Sequence, residues 1–251
     1  MGLLDGKVVL ITGAGSGIGE ATAHEAAAEG ARLLLADVDD DKGEAVAETL
    51  DATYVHCDVV SEEEVSAMVD SCMTAYGQID GAFNCAGILG GLGMTADAEL
   101  ADWKRIIDID LTGVFLCSKY ELRQMLAAGS GSIVNMSSAA GLIGWAGAVG
   151  YVAAKHGVVG LSKAAAMDYA PQGIRVNALC PSYIDTPLVT DMFENLLGGD
   201  QAAKDAAIAV HPYGRFGTSS EVAAACVWLL SDKASLVTGT AFSVDGGYTT
   251  Q

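Results

Sequence analysis

Seven short apolar runs punctuate the chain, and none of them alternates with polar positions. They occupy residues 7–11 (KVVLI), 32–37 (RLLLAD), 53–57, 80–83, 132–136, 175–179 and 241–244. A strand with one wet face alternates apolar and polar residues, whereas a strand buried on both faces does not. Helical stretches separate the runs: 18–29, alanine-rich and stopped by Gly30; 39–50; 61–76, opened by a Ser61/Glu64 capping box; 100–127; 150–170; and 219–230. Strand followed by helix, repeated, predicts an α/β fold with a doubly wound parallel sheet and helices on both faces. No internal repeat, low-complexity tract or linker divides the 251 residues, so a single domain over 1–251 is expected. Only 181–217 leaves the rhythm, inside the last strand–helix–strand step. Long excursions of this kind are usually lids, and this one is expected to cover a pocket.

Charge narrows the partners. The chain carries 32 acidic and 13 basic side chains, a formal net charge of −19. Binding to a nucleic-acid backbone or an anionic membrane surface needs a positive footprint, so both are excluded as expectations. No apolar run approaches the length of a membrane span. Six cysteines, at positions 57, 72, 85, 117, 180 and 226, form no C-x-x-C pair and have no histidine at ligand spacing. They read as free buried thiols and not as a metal site. The N-terminus lacks both the basic start and the long apolar stretch of a signal peptide, so a reducing cytoplasm is expected.

After the first run comes Thr12-Gly13-Ala14-Gly15-Ser16-Gly17-Ile18-Gly19. It fits neither G-x-G-x-x-G nor a P-loop, but it does fit T-G-x-x-x-G-x-G. Glycines let a backbone approach a pyrophosphate at a helix N-terminus, where free N–H groups and the helix dipole favour anions. Gly13, Ser16, Gly17, Ile18 and Gly19 are therefore candidates for a dinucleotide cradle. Asp37 ends the second run 18 residues past Gly19, where a carboxylate can accept from both ribose hydroxyls of an adenosine. Asp39, Asp40 and Asp41 follow, with no cation before Lys42, so a 2′-phosphate would be repelled and NAD is favoured over NADP. Capping of the next helix is the competing role for Asp37. Asp58, after the third run, is similarly placed for the adenine.

Tyr151 and Lys155 stand four apart on one helix face, and Ser138 ends a strand 13 residues before the tyrosine. A free phenol titrates near pH 10, too high for a base at neutral pH. A neighbouring ammonium, together with an oxidised nicotinamide, favours the phenolate and brings its pKa toward the working range, and a serine hydroxyl can hold a substrate oxygen while the proton moves.

With these residues the chain resembles the classical short-chain dehydrogenase/reductase family almost from end to end. The resemblance rests on the glycine turn, Asn84-Cys85-Ala86-Gly87, Ser138, Tyr151-x-x-x-Lys155, Ile174-Arg175-Val176-Asn177 and Val244-Asp245-Gly246-Gly247. It implies a Rossmann-like seven-stranded parallel sheet and hydride transfer between NAD and a secondary alcohol or its ketone. Tyr151 would be the general acid/base and Ser138 the ligand of the substrate oxygen. Lys155 would bind the nicotinamide ribose and lower the tyrosine pKa. Ile184 and Thr186 would contact the carboxamide, and Asn84 and Gly87 would cradle the cofactor. A homotetramer joined through the long helices at 100–127 and 150–170 is implied as well.

Three positions depart from the family pattern. Cys85 replaces an asparagine of N-N-A-G. Ser182 replaces the glycine of the usual Pro-Gly, making the lid entrance stiffer and more polar. Asp110 stands where a catalytic asparagine is usual, holding a water of the proton relay to the lysine. Its backbone carbonyl can still serve that water, so activity should survive. An ionised Asp110 would partly offset the lysine charge and raise the tyrosine pKa, predicting a more alkaline optimum than an asparagine there would give.

Pocket candidates lie in 88–94, 142–149 and 183–211: Leu142, Ile143, Trp145, Val149, Tyr183, Leu188, Met192, Phe193 and Leu196. They are apolar and carry no basic cluster, which suits a cyclic or aryl-alkyl alcohol better than a phosphate, CoA ester or polyol. His211, at the lid's end, is a candidate substrate contact, and His156 reads as structural. Two alternative readings compete. A 3-oxoacyl-carrier-protein reductase-like enzyme is opposed by Asp37 and by the lack of Lys or Arg in 126–132 and 168–173. A non-catalytic dinucleotide-binding sensor or scaffold is opposed by the intact Ser138, Tyr151 and Lys155.

Overall fold

The computed structural model describes residues 2–250. Its strands are β1 (Val8–Thr12), β2 (Arg32–Asp37), β3 (Thr53–His56), β4 (Gly81–Asn84), β5 (Gly131–Met136), β6 (Ile174–Pro181), β7 (Ile184–Asp185), β8 (Gly217–Thr218) and β9 (Ala241–Val244). Seven of them form one sheet in the order β3-β2-β1-β4-β5-β6-β9, every pairing parallel. The short β7 and β8 pair with each other. This is the Rossmann-like, single-domain architecture expected from the sequence. Strand order reverses between β1 and β4, the switch point at which doubly wound sheets open a crevice beyond their C-terminal ends.

The absence of polar alternation has a direct cause in the packing. Val8 and Leu10 of β1 face one hydrophobic layer, together with Leu34, Ala82, Ile133 and Val176. The helices α3 (Glu62–Tyr76), α5 (Val114–Ala128) and α6 (Val149–Tyr169) close that layer through Met68, Met125 and Ala165. Val9 and Ile11 face the opposite layer with Leu35, Phe83, Val134 and Leu179. There α1 (Gly17–Ala28) and α9 (Ser219–Leu230) contribute Ala23, Ala26, Val222 and Val227. Successive side chains point to opposite faces, and both faces are covered, so both must be apolar.

Two expectations are corrected. The helix expected over 100–127 is broken into α4 (Leu100–Ile107), a wide π-helical stretch Asp108–Gly113, and α5. Asp110 turns inward from that stretch, and Gly113 packs so closely that a Cβ would lie 2.7 Å from Val59 Cγ2. Such π insertions recur at functional sites. The capping box at Ser61 is half made. Ser61 Oγ accepts from Glu64 N at 3.3 Å, but the Glu64 carboxylate accepts from Asp58 N at 2.8 Å instead. The complete box sits at Thr218 and Glu221, opening α9. The excursion 181–217 is itself structured, running through β7, α7 (Pro187–Asp191), a π-helical stretch Met192–Leu196, α8 (Gln201–Ala209) and β8.

Candidate active site

One cleft of about 350 Å³ lies beyond the C-terminal ends of the strands, lined from the glycine turn to the lid. That volume is of the size that holds small molecules. At its first end, Gly13 has φ +66° and a Cβ there would lie 2.7 Å from Ala86 N, so only glycine fits against the β4 loop. Gly19 is more demanding: a Cβ would lie 2.0 Å from Gly13 O. Gly13, Ser16, Gly17 and Ile18 line the cleft, while Gly19 acts behind them by letting the turn close.

Asp37 faces the cleft from the end of β2. Its Oδ2 accepts from Gly15 N at 2.8 Å and its Oδ1 from Asp39 N at 3.0 Å. Asp39, not Asp37, caps the helix α2 (Asp40–Leu50), accepting from Lys42 N. The competing cap role for Asp37 is thereby removed. Lys42, the first cation after Asp37 along the chain, is tied to the Asp39 carboxylate. Asp58 also lines the cleft and accepts from Val60 N, while Ser61 caps α3. The turn and the Asp37 carboxylate thus present backbone donors and an acceptor of the kind a dinucleotide requires.

At the other end, Ser138, Tyr151 and Lys155 converge on the same cleft, as do Asp110, Gly87, Ile184 and Thr186. Ser138 follows β5, and its neighbour Ser137 donates to Lys155 O at 2.9 Å, docking α6 against the strand end. Lys155 Nζ donates to Met136 O at 3.2 Å and lies 3.0 Å from Asp110 Oδ2. It stands 5.4 Å from the centroid of the Tyr151 ring. Asp110 is fully buried, and its Oδ1 accepts from Ile88 N at 2.9 Å.

These contacts set the acidities. Burial pushes Lys155 down, but the Asp110 carboxylate and the Tyr151 phenol outweigh it and hold the amine above its ordinary value, as an ammonium. Burial pushes the Tyr151 phenol up, Lys155 and a hydrogen bond with Ser138 pull it down, and Asp110 pushes it up again. The net direction is upward, so the lysine alone does not bring the phenol into the neutral range. Burial and Asp110 together outweigh one ammonium, and the expected shift toward the working range also counts on an oxidised nicotinamide.

Asn84 does not join the site. It is 1% exposed, and its Nδ2 donates to Glu121 Oε2 at 3.0 Å and Asn135 Oδ1 at 2.9 Å, in a buried polar cluster under α5. Its neighbours Cys85, Ala86 and Gly87 line the cleft instead. On the substrate side the wall is Leu89, Ile143, Trp145, Tyr183, Leu188 and Met192, and Trp145 meets Tyr151 edge-on at 6.1 Å. Four pocket candidates fall elsewhere. Leu142 packs on Val159 and Cys180, Phe193 is buried behind the wall, Leu196 is exposed, and Val149 opens α6 off the lining. His211 is buried off the cleft, and His156 Nδ1 pairs with Val152 O on its own helix. Tyr248 lines the cleft and was missed; only its place after the Val244-Asp245-Gly246-Gly247 turn could have pointed to it.

Residues 13–249 match the family model described as Enoyl-(Acyl carrier protein) reductase. The chain is 46% identical over 250 residues to 2,5-dichloro-2,5-cyclohexadiene-1,4-diol dehydrogenase of Sphingobium indicum, covering 98% of each. It is 42% identical to cyclohexanol dehydrogenase of an Acinetobacter species, over 98% of this chain and 96% of that protein. A crystal structure of levodione reductase superimposes with a TM-score of 0.93 at 41% identity, over 97% of this chain and 98% of that one.

Proposed function

The chain belongs to the classical short-chain dehydrogenase/reductase family and is an oxidoreductase of secondary alcohols and ketones, and from that premise we propose that it is an NAD-dependent dehydrogenase of apolar cyclic alcohols. The carrying observation is a single cleft that holds the glycine turn, Asp37 and the Ser138–Tyr151–Lys155 group, closed on the substrate side by uncharged side chains. Asp37 supports NAD, since a 2′-phosphate would meet its carboxylate with Lys42 already engaged. Relatives that act on substituted six-membered rings support the cyclic substrate.

Bound NAD supplies the hydride acceptor and a positive ring charge, which favours the phenolate. Ser138 Oγ holds the substrate hydroxyl. Tyr151 takes its proton during oxidation and returns it during reduction. Lys155 stabilises the phenolate and offers N–H donors to the cofactor's ribose. Leu89, Trp145 and Tyr183 exclude water from the reacting carbon. Gly87, Ile184 and Thr186 would hold the nicotinamide end and Asp58 the adenine end, a reading supported by all four lining the cleft.

No helix among the described residues is long and apolar enough to cross a membrane. Six unpaired cysteines support a reducing cytoplasm. Phe115 on α5 and Met167 on α6, 47% and 81% exposed, support assembly with further copies of the chain through these helices, as in a tetramer. The test is a panel of cyclohexanols, linear secondary alcohols and polyols assayed with NAD and NADP by absorbance of the reduced cofactor. Cyclic alcohols with NAD should give the highest kcat/KM. A preference for NADP would refute the role of Asp37, and a preference for polyols would refute the apolar pocket.

A further inference from the structure

The two ends of the lid segment meet at a side-chain hydrogen bond. Ser182 follows β6 and lines the cleft beside Tyr183, while His211 lies off the cleft, just beyond α8. His211 is 3% exposed. Its Nδ1 lies 2.7 Å from Ala207 O, and its Nε2 lies 3.0 Å from Ser182 Oγ. A carbonyl oxygen only accepts, so the ring proton is assigned to Nδ1, and Nε2 accepts from the Ser182 hydroxyl.

Tyr183 is the hub of the aromatic group beside this bond. Its ring centroid is 5.7 Å from Trp145, 5.5 Å from Phe216 and 5.6 Å from His211. The His211 ring also stacks on Tyr248 at 4.9 Å and 17°, and Tyr248 meets Tyr183 edge-on at 6.2 Å. Tyr248 is held by the turn built on Asp245, which accepts from Gly247 N and Thr249 N at 3.0 Å each. The rest of the lid is thinly anchored. Of α7, α8 and the stretch between them, only Met192 and Phe193 are buried, and Leu188 and Leu196 are exposed. A segment with so few buried contacts opens easily, so a bond at its base weighs heavily on its position.

We propose that the Ser182–His211 hydrogen bond is a positioning tie that fixes Tyr183 as a wall of the substrate pocket and so sets the affinity for the alcohol, independently of the glycine turn that holds the cofactor. This rests on the reading of 181–217 as the substrate lid. Ser182 and His211 are positioning residues and take no part in proton transfer.

Hydrogen exchange on the free enzyme tests the tie without reference to any substrate. In Ser182→Ala and His211→Phe, amides of 187–210 should exchange about tenfold faster than in the parent, and those of β1 to β6 at the parent rate. Unchanged exchange in the lid, or acceleration spread through the sheet, would overturn the proposal. In turnover of cyclohexanol, KM should rise about tenfold while kcat stays within about twofold and NADH affinity is unchanged. A loss confined to kcat, or shared with NADH binding, would overturn it too. His211→Phe keeps the ring stack and His211→Gln restores an acceptor, so the glutamine variant should recover most of the KM. If glutamine is as poor as phenylalanine, the hydrogen bond is not the tie. A parent enzyme inert toward cyclohexanol would instead count against the cyclic-alcohol reading, and the exchange result would still decide the tie.

Discussion

Replacing Asp110 by asparagine removes one negative charge from the most enclosed ion pair of the site and leaves its shape almost intact. The Asp110 Oδ2–Lys155 Nζ distance is 3.0 Å and Nζ lies 5.4 Å from the Tyr151 ring centre, so the carboxylate stands at most about 8.4 Å from that ring. At an effective dielectric of about 20, two unit charges that far apart interact by about 2 kcal/mol, equivalent to about 1.5 pKa units. Deleting the carboxylate removes a push that holds the phenol up. Lys155 is left with the phenolate as its remaining counter-ion, and the pair then releases its proton at lower pH. Asparagine Oδ1 can still accept from Ile88 N, which isolates the charge from the geometry.

The acidic limb of kcat/KM for alcohol oxidation should therefore move down by about one to 1.5 pH units in Asp110→Asn. Initial rates at saturating NAD, followed by absorbance of the reduced cofactor from about pH 6 to pH 10, read this directly. Breaking a buried pair also costs on the order of 3 kcal/mol, so a lower Tm should accompany the shift. Profiles that superimpose, with the variant folded, would refute the assignment of Asp110 as the group opposing phenolate formation. A shift toward alkaline pH would refute its sign.

Tyr151→Phe should lower kcat by about 10³-fold while leaving NADH binding unchanged, because it deletes the proton carrier and little else; a fall below tenfold would point to another acid/base. Glu121 is fully buried with no cation beside it among the described residues, and burial pushes its carboxyl from 4.5 up to about 7. A carboxyl raised in the folded state withdraws stability as pH climbs from its unfolded value through its folded one, here on the order of 3 kcal/mol. Glu121→Gln should therefore be relatively more stable than the parent near pH 9 than near pH 5 by denaturant unfolding, and parallel pH dependences would show that the carboxyl ionises freely. Gly19→Ala places a methyl against Gly13 O, which should weaken NADH binding at least about tenfold in a fluorescence titration and lower stability by about 1–3 kcal/mol; parent-like affinity would mean that the turn tolerates widening.

How much of this was legible in the sequence depended on whether a feature is local. Val8 and Val9 must both be apolar because each faces a different covered layer, so β1 could be read from a few letters. Tyr151 and Lys155 could be read because four residues along a helix is one face, whatever surrounds it. Asn84 sits in an equally recognisable motif, yet its side chain goes the other way. It ends a strand buried on both sides, and the polar residues of α5 give its amide partners that the cleft side does not. Tyr248 and the Ser182–His211 bond were illegible for a different reason. They join segments 29 or more residues apart, brought together by the path of the lid and by the final turn, and no local pattern encodes that.

The acidity of Tyr151 shows where motif reading reaches its end. The spacing of Tyr151 and Lys155 correctly places an ammonium beside the phenol, but a pKa is a balance of all the surrounding influences. Here burial is the largest of them and Asp110 adds to it, so the phenol rises although its lysine is in place. The same motif in a chain with asparagine at position 110 would keep the burial and the ammonium and lose only the carboxylate. The reacting group is therefore set by the motif, and the pH at which it reacts is set by burial, by Lys155 and by Asp110, a residue on the π-helical stretch 41 positions earlier.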